Sequence, residues 1–488
     1  MHDAQTRPIP NLAWDALLEI RGADGVGPFH ARLAGALREA IRVGRLPGGS
    51  AVLPSRQLAT ELRCSRWAVT EAYEQLIAEG YLEGRVGSAT RVRPQHLARA
   101  RTAISSAESR VPHRYDLRPG LADLHAFPRA AWTRAIREVI ATTPAEDLAY
   151  PPRGGHLHLR AVIADYLHRV RGAAVNADDV TITSGIVDGL MQLTRALAAA
   201  GHRAIAVENP AWIRLFEGVR QTGLELVPIG VDSEGMRVHD LRFTRVRATL
   251  VAPAHQFPTG NILSPSRRGD LLEWARRVDG LILEDDYDAE FRYDRRPIGA
   301  LQGLAPDRVA LFGSLSKTLA PAIGLGWAVT PPHWTAAMRS VEPRLTGPST
   351  LEQLTLARFI ESGAYDRHLR HARRSYRSRR DMLSAALARA LPDCTISGAE
   401  AGMHFVVQLS SGVAAADVVS VAAADGLRVA ELRTYWLDSR PAAGAQESLV
   451  IGYSNLADER VEEAAAVLAR AVRTVRDRDR RPPQASRP

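Results

Sequence analysis

Two short stretches decide the fold: GLILEDDYD at residues 280–288 and RVALFGSLSK at residues 308–317. Each opens with a run of apolar, strand-forming residues and ends in polar ones. Similar runs precede them, VTITS at 180–184, RAIAVEN at 203–209 and RATLVAPAH at 247–255, with helical stretches between. Short apolar strands that alternate with helices are typical of a mostly parallel sheet covered by helices. We therefore predict an α/β fold for this part of the chain.

Polar side chains follow the ends of these strands, where ligands bind in an open α/β sheet. The residues at these ends are Ser184, Gly185, Trp212, Asp285, Asp286, Tyr287, Ser314, Ser316 and Lys317. Singly, each has an ordinary structural role, such as a helix cap, a core aromatic or a tight turn. Together they fit pyridoxal 5′-phosphate, which needs a lysine, a carboxylate at its pyridine nitrogen, a flat side chain on its ring and amides at a helix N-terminus for its phosphate.

Lys317 is the one lysine among 63 basic residues; the rest are arginine. A GC-rich codon bias accounts for the missing lysines but not for the one that is retained. Arginine stays protonated near neutral pH, whereas a lysine amine can lose its proton and form a Schiff base. A required primary amine is one explanation, and chance retention is the other.

Composition limits the class of protein. The chain has 488 residues, a net charge of +9, 45% hydrophobic and 24% charged residues, which is typical of a folded chain of several domains. Cys64 and Cys394 lie far apart, and the N-terminus (MHDAQTRPIPNLAW) has no basic-then-apolar leader. No apolar run approaches the roughly 20 residues of a membrane span. We expect a cytoplasmic protein without membrane or metal partners.

Residues 29–92 predict a winged helix. Phe29, Leu33, Leu37 and Ile41 recur every fourth position, which indicates a first helix with one apolar stripe. Two further helices follow, with Ser55 and Ser65 as candidate caps, and then two short strands near 81–83 and 90–92. Helix, helix-turn-helix and hairpin together make a DNA-binding winged helix; a bundle fragment that ends in a hairpin is the alternative.

The sequence divides into four predicted segments. They are a winged-helix domain at 12–93, a linker at 94–115, an α/β effector domain at 116–475 and a basic, disordered tail at 476–488. Within the effector domain the pattern turns helical after about Thr330, and strands return at 405–409 and 448–453. This predicts a smaller C-terminal α+β lobe.

From about residue 28 to 470 the chain resembles the MocR/PdxR transcription regulators, which join a GntR-type winged helix to a fold-type I aminotransferase-like domain. The DNA-binding side rests on LPSRQLATELRCSRWAVTEAYEQLIAEGYLEG at 53–84. The other side rests on AHQFPTG at 254–260, LEDDYDAEFRY at 283–293, GSLSKTLAP at 313–321 and IGYSN at 451–455. Their combination in this order is more specific than either half.

The resemblance implies roles for the residues at the strand ends. Lys317 is the Schiff-base lysine and the catalytic group, Asp285 the partner of the pyridine nitrogen with Asp286 in reserve, and Tyr287 the hydroxyl beside the ring oxygen. The remaining implied cofactor contacts are Trp212 on the ring, Ser184, Gly185, Ile186 and Ser314 around the phosphate, and His255 and Gln256 at the ring edge.

Several positions depart from the family pattern. Gly324 stands where an arginine usually holds the phosphate, a loss of about 1.5 to 3 kcal/mol of binding if nothing replaces it. Ile186 replaces the usual Ser or Thr. Phe257 stands where aminotransferases carry an asparagine, as is frequent in regulators of this group, and is no departure from them. Val450 replaces the arginine that receives a substrate carboxylate, whereas Arg214, which contacts an effector carboxylate in some members, is retained.

The DNA-binding positions implied by the resemblance are Arg56, Ser65, Arg66 and Thr70 in the helices and Arg85 and Gly87 in the wing. Arginine suits phosphate and guanine because its planar fork donates two hydrogen bonds; a solvated helical face is the ordinary alternative. Since residues 1–95 carry 12 arginines against 10 acidic residues, nonspecific affinity should be modest. We therefore expect a homodimer on a double-stranded operator with two half-sites.

We read the chain as a transcription regulator that senses pyridoxal phosphate, another vitamin B6 form, or an amine or amino acid that reacts with the cofactor. Within this reading, either pyridoxal phosphate is bound through Lys317, or a degenerate pocket takes another ligand. A residual transaminase half-reaction is compatible with both. The alternatives are an aminotransferase with an appended DNA-binding domain, and a DNA-binding protein whose second domain only dimerises. Fold alone does not choose among these.

Overall fold

The computed structural model describes residues 27–84, 89–93, 113–293, 298–341, 347–398, 400–437 and 447–479. The chain divides into two units, Met1–Arg110 and Val111–Pro488. No helix among the described residues is long and apolar enough to cross a membrane.

The first unit has the predicted order of elements. It comprises α1 (Phe29–Arg42), α2 (Ser55–Glu61), α3 (Arg66–Ala78), β1 (Leu82–Glu83) and β2 (Arg91–Val92). The two strands pair antiparallel with Leu82 opposite Val92. The apolar stripe of α1 is buried against α2 and α3, which confirms the helix-turn-helix with a hairpin.

The two predicted helix caps differ. The Ser65 hydroxyl accepts a hydrogen bond from the Ala68 amide at 3.2 Å and caps α3 as predicted. Ser55 does not cap α2: it is the first residue of that helix, and Pro54 stands at the cap position without a side-chain hydrogen bond. A proline ahead of the first turn supplies no acceptor side chain but has the fixed φ that suits a helix start.

The second unit is built on an eight-stranded sheet. Its strands in spatial order are β4 (Val180–Thr183), β11 (Gly326–Val329), β10 (Val309–Ser314), β9 (Leu281–Asp285), β8 (Ala248–Val251), β5 (Ala204–Asn209), β6 (Glu225–Asp232) and β7 (Gly235–Met236). Strands β10, β9, β8, β5 and β6 are parallel, whereas β11 and β7 pair antiparallel to their neighbours. The sheet is mostly parallel, as predicted.

Helices and a smaller sheet complete this unit. The helices are α4 (Arg129–Thr142), α5 (Leu157–Arg171), α6 (Ile186–Ala199), α7 (Ile213–Arg220), α8 (Pro265–Arg277), α9 (Pro332–Val341), α10 (Thr350–Glu361), α11 (Ala364–Ala390), α12 (Ala415–Ala424) and α13 (Val461–Asp479). The C-terminal strands β12 (Thr395–Ser397), β13 (His404–Gln408), β16 (Ser448–Gly452) and β15 (Ala430–Glu431) form an antiparallel sheet, which is the predicted smaller lobe. A short parallel pair joins β3 (Tyr115–Asp116) to β14 (Leu427–Arg428).

Two predicted boundaries shift. The segment predicted as a linker through residue 115 ends earlier, because Tyr115 already pairs with Leu427 in a strand. The predicted tail from 476 begins too early, since α13 continues to Asp479. Its remaining residues, 480–488, and residues 94–112 of the linker lie outside the described part of the chain.

Candidate cofactor site and DNA-binding face

The polar ends of β9 and β10 meet in one cavity, as the strand order requires. The cavity has about 530 Å³ of empty space, part of it open to solvent. Its lining residues are Pro119, Gly120, Ile186, Trp212, Phe257, Asp285, Tyr287, Ser314, Ser316 and Lys317. Six of the implied cofactor residues are therefore brought together around it: Ile186, Trp212, Asp285, Tyr287, Ser314 and Lys317.

Lys317 extends into the cavity between backbone and an aromatic ring. Its Nζ donates a hydrogen bond to the carbonyl oxygen of Gly120 at 2.6 Å and lies 5.1 Å from the centre of the Trp212 ring. Gly120 has φ +82°, a conformation that favours glycine, and a Cβ there would lie 2.9 Å from Nζ. Burial lowers the pKa of the Lys317 amine, although the carboxylates of Asp285 and Asp288 oppose that effect.

Asp285 and Asp286 follow the same strand but have different surroundings. Asp285 lines the cavity, and its Oδ1 is buried without a hydrogen-bond partner among the described residues. Burial first, and then the charge of Asp286, raise the pKa of Asp285 well above its usual range. Asp286 instead forms a buried bidentate ion pair with Arg171, at 2.7 and 2.8 Å. The Asp286 carboxylate is thus already paired, and Asp285 is the one available to a ligand.

Tyr287 lies at the edge of the cavity with polar groups behind it. Its hydroxyl is 3.0 Å from Nδ1 of His255, and burial together with the neighbouring carboxylate of Asp288 raises its pKa. His255 Nδ1 is also 2.8 Å from Oδ2 of Asp288. His255, which is predicted at the ring edge, is therefore not a lining residue; it contacts the tyrosine that is. Sequence reasoning gave no role to Asp288, although DDYD includes it.

The neighbours Gln256 and Phe257 lie differently with respect to the cavity, although only Gln256 is predicted at the ring edge. The Gln256 amide donates to the carbonyl oxygens of Pro210 and Phe257, at 2.7 and 2.6 Å, and does not line the cavity. Phe257 does line it, and its ring centre is 4.9 Å from that of Tyr435. Beneath them burial raises the pKa of Glu208 to about 7. An aromatic ring thus stands where aminotransferases use an amide.

The opposite end of the cavity offers hydroxyls and a helix start. Ser314 and Ser316 line it, and Ile186 is the first residue of α6. Gly185 caps that helix, and the amide of Ser184 donates to the Asp188 carboxylate at 2.9 Å; neither residue is among those lining the cavity. Backbone amides at a helix N-terminus favour an anion.

Three positions at which family members carry an arginine, 324, 450 and 214, have different surroundings in this structure. Gly324 ends a short 3₁₀ turn in the left-handed region (φ +63°, ψ 35°), and a Cβ there would meet no atom within 4 Å. Val450 is fully buried in β16, paired with Val406 and Ala430, so it presents no polar group. Arg214 is exposed on α7 and makes no ion pair with any described residue, and its charge contributes to the lowered pKa of Lys317.

The candidate DNA-binding face is exposed. Arg56, Arg66 and the capping Ser65 are solvent-exposed on α2 and at the start of α3, and Thr70 is half-buried one turn later. Trp67, which sequence reasoning placed on no face, is 64% exposed beside Arg66. Arg85 and Gly87 lie outside the described residues.

Comparison with known proteins agrees with this division. Residues 29–92 match the family "Bacterial regulatory proteins, gntR family", and residues 121–468 match "Aminotransferase class I and II". The chain is similar to the HTH-type pyridoxine biosynthesis transcriptional regulator PdxR of Corynebacterium glutamicum, with 32% identity over 89% of this chain and 94% of the relative. It is 31% identical to the probable rhizopine catabolism regulatory protein MocR of Rhizobium meliloti, over 89% of this chain and 92% of the relative.

Solved structures show the same fold for the second unit. An archaeal alanine:glyoxylate aminotransferase superposes with a TM-score of 0.67 at 24% identity, covering 74% of this chain and 91% of the other. The kynurenine aminotransferase of Pyrococcus horikoshii gives a TM-score of 0.67 at 23% identity, covering 75% of this chain and 92% of the other. At this identity the likeness concerns fold only.

Proposed function

Because this chain belongs to the MocR/PdxR family of HTH-type transcription regulators, we propose that its aminotransferase-like unit binds pyridoxal 5′-phosphate and signals the cofactor's reaction with a primary amine to the DNA-binding unit. The observation that carries the proposal is the placement of the chain's one lysine in a cavity with an unpaired buried carboxylate, Asp285.

The residues present fit this cofactor. When bound, pyridoxal 5′-phosphate supplies an aldehyde that condenses reversibly with primary amines. The unsatisfied Oδ1 of Asp285 is a buried acceptor, which favours a protonated ring nitrogen as its partner. Trp212 offers a flat aromatic face beside Lys317, and Ser314 and Ser316 offer hydroxyl groups for a phosphate.

Lys317 would bind the aldehyde. A buried amine with a lowered pKa is neutral, and so nucleophilic, in a larger fraction of molecules at a given pH. An incoming amine would exchange with Lys317, and Arg214 would attract an effector that carries an anionic group. The effector class is therefore a primary amine, an amino acid or a vitamin B6 form.

Efficient transamination is the weaker alternative. A transaminase needs a fixed cation for the substrate carboxylate, and position 450 is a valine fully buried in the sheet. Position 324 lacks a side chain for the phosphate. Loss of both anchors degrades the positioning of substrate and cofactor, which suits a sensor better than an enzyme.

A homodimer is part of the proposal. Ile140, Leu148, Tyr150 and Leu157 are more than half exposed within one short stretch of the second unit, and Tyr150 is 83% exposed. Large exposed apolar groups that cluster in this way mark contact surfaces. A dimer would also supply two DNA-binding units for two half-sites.

The test is the visible absorption of purified protein after incubation with pyridoxal 5′-phosphate and removal of the free cofactor. We expect the band of covalently attached cofactor in the wild type and none in Lys317→Ala. Lys317→Arg is the matched control, because it keeps a positive charge without a reactive amine. Since the chain has no second lysine, no other side chain can replace the lost amine. A wild type without the band, or a Lys317→Ala variant that retains it, would contradict the proposal.

A further inference from the structure

A buried cluster of four side chains lies behind the cavity wall. It consists of Tyr287, His255, Asp288 and His404, and is named here the His255 cluster. Asp288, His255 and His404 are each at least 98% buried. They come from different parts of the second unit: the segment after β8, the segment after β9 and the start of β13 in the smaller lobe. The proposed function uses only Tyr287 among them.

The hydrogen bonds of this cluster define where its protons lie. A carboxylate only accepts, so the 2.8 Å contact between Asp288 Oδ2 and His255 Nδ1 places the proton on Nδ1. Nε2 of His255 is then a lone pair, buried without a partner among the described residues. The Tyr287 hydroxyl lies 3.0 Å from the same Nδ1 of His255, which already carries a proton, and the adjacent Asp288 carboxylate is an acceptor that, together with burial, raises the pKa of this phenol.

Packing holds the histidine in place. Gly402 has φ +79°, and a Cβ there would lie 2.0 Å from His255 Cε1 and 2.7 Å from Asp288 Oδ2. A side chain at position 402 would therefore collide with both the imidazole and the carboxylate. On the other side, the ring centre of His404 is 5.0 Å from that of His255, and His404 Nε2 donates to the carbonyl oxygen of Pro258 at 3.1 Å. The His255 ring thus packs between the backbone at Gly402 and the ring of His404.

The charged and titratable groups that face Tyr287 are Asp288, Asp285, Glu208 and His255, and those that face Lys317 are Asp285, Asp288, Arg214 and His404. Burial first, and then Asp288, raise the pKa of Tyr287 well above its usual range, so this phenol keeps its proton. The direction of this proton then decides which neighbouring acceptor receives a hydrogen bond from the phenol.

We propose that Asp288 and His255 are positioning residues for Tyr287: they hold its ring at the cavity edge and draw its hydroxyl proton towards the buried carboxylate. This rests on the proposed function, in which Tyr287 lies beside the ring oxygen of the cofactor. A phenol that donates to Asp288 donates less to that oxygen, so the pair sets the proton affinity of the nitrogen at Lys317.

The positioning role is tested first without cofactor, by crystal structures of Asp288→Ala and of a control. Glu290→Gln is the matched control, since Glu290 is also a buried carboxylate in the same segment but accepts from Tyr166 at 3.1 Å. We expect the Tyr287 hydroxyl to leave hydrogen-bond distance of His255 in Asp288→Ala and to stay in place in Glu290→Gln. An unmoved Tyr287 in Asp288→Ala overturns the role. If Asp288→Ala does not fold, His255→Phe keeps a ring beside Gly402 and removes both nitrogens.

The second test is a spectroscopic pH titration of the cofactor-loaded protein. In Asp288→Asn the phenol is released from a carboxylate, and we expect the midpoint of the absorption change to fall by about one pH unit. In a Tyr287→Phe background the same substitution should shift the midpoint by less than half as much. An equal fall in both backgrounds shows that the charge acts directly and overturns the role. A wild type without any absorption band contradicts the proposed function instead, and the cofactor-free structures then decide the positioning role alone.

Discussion

The candidate DNA-binding face and the cavity at the strand ends use polar residues in opposite ways. On α2 and α3, Arg56 and Arg66 extend into solvent, where water screens their charge until a partner arrives. In the cavity, Lys317 and Asp285 are held where burial has already displaced both pKa values. The properties of the helix face depend on which residue types are exposed there. Those of the cavity depend on the groups that surround Lys317 and Asp285. A substitution should therefore act locally on the helix face but through several neighbours in the cavity.

The largest expected effect is on the free energy of unfolding, at the buried ion pair between Asp286 and Arg171. Asp286→Asn removes one partner of the ion pair with Arg171, whose side chain is 2% exposed. An unpaired buried guanidinium should cost about 3 to 5 kcal/mol of unfolding free energy. Denaturant unfolding measures this loss.

The control for that loss is the exposed pair of Asp279 with Arg247. Asp279→Asn should change the unfolding free energy by less than about 1 kcal/mol. Equal losses at the two sites would remove the contrast between buried and exposed charge.

The next largest effect is expected at Asp285, where a substitution should change cofactor affinity without lowering the stability of the cofactor-free protein. Asp285→Asn should weaken cofactor affinity about 100-fold, since it removes the charge that faces the ring nitrogen in a low-dielectric site. It should leave the cofactor-free protein at least as stable, because the wild-type carboxylate is desolvated and its Oδ1 is unsatisfied. Cofactor titration and thermal unfolding measure the two effects. A stability loss like that of Asp286→Asn would mean that Asp285 is structural.

A smaller effect is expected on the exposed face. Arg66→Ala should weaken binding to a DNA site selected by the wild type by about 1 to 3 kcal/mol, without changing cofactor absorption. Arg42→Ala is the control, because Arg42 is equally on a helix of the first unit but pairs with Glu39. Gel-shift titration measures the affinities. Equal losses in the two variants would point to nonspecific charge rather than a recognition face.

The smallest effect is on pH dependence. Since burial lowers the pKa of Lys317, its neutral fraction rises at a lower pH than for an exposed lysine. The rate of cofactor attachment should therefore increase with pH and reach its midpoint below 10.5, the ordinary lysine value. Absorbance kinetics between neutral pH and pH 11 measure this. A midpoint at the ordinary value would show that the amine reacts in a solvated state.

The sequence predicts the strand ends well, because apolar runs and the polar residues after them are local features. Local pattern alone does not separate Asp285 from Asp286, and the preference for Asp285 comes from the family resemblance. Both follow β9, and the partner that takes Asp286, Arg171, lies on a helix more than a hundred residues earlier. The position of Gln256 outside the cavity lining is equally non-local, since its amide donates to the carbonyl oxygen of Pro210. Ser55 fails as a cap for a local reason, because Pro54 occupies the cap position.

Asp288 illustrates a different limit. Its letter is visible in the DDYD stretch, but nothing local shows that a histidine 33 positions earlier contacts it. Gly402 points to the contact between His255 and Asp288 only once the structure is known, because a side chain at position 402 would collide with both residues. Contacts between segments far apart in sequence set the chemistry of the site, whereas local pattern sets its location.

The nitrogen of Lys317 that is proposed to bind the cofactor also donates a hydrogen bond to the carbonyl oxygen of Gly120. Gly120 belongs to the stretch that follows β3, the first strand of the second unit, and this stretch continues directly from the residues that join the two units. A free ammonium has three hydrogens to donate, and attachment of the proposed cofactor at Lys317 would leave fewer of them for the carbonyl oxygen of Gly120. If the cofactor binds as proposed, its attachment and release would therefore weaken and restore the hydrogen bond between Lys317 and the stretch that follows β3.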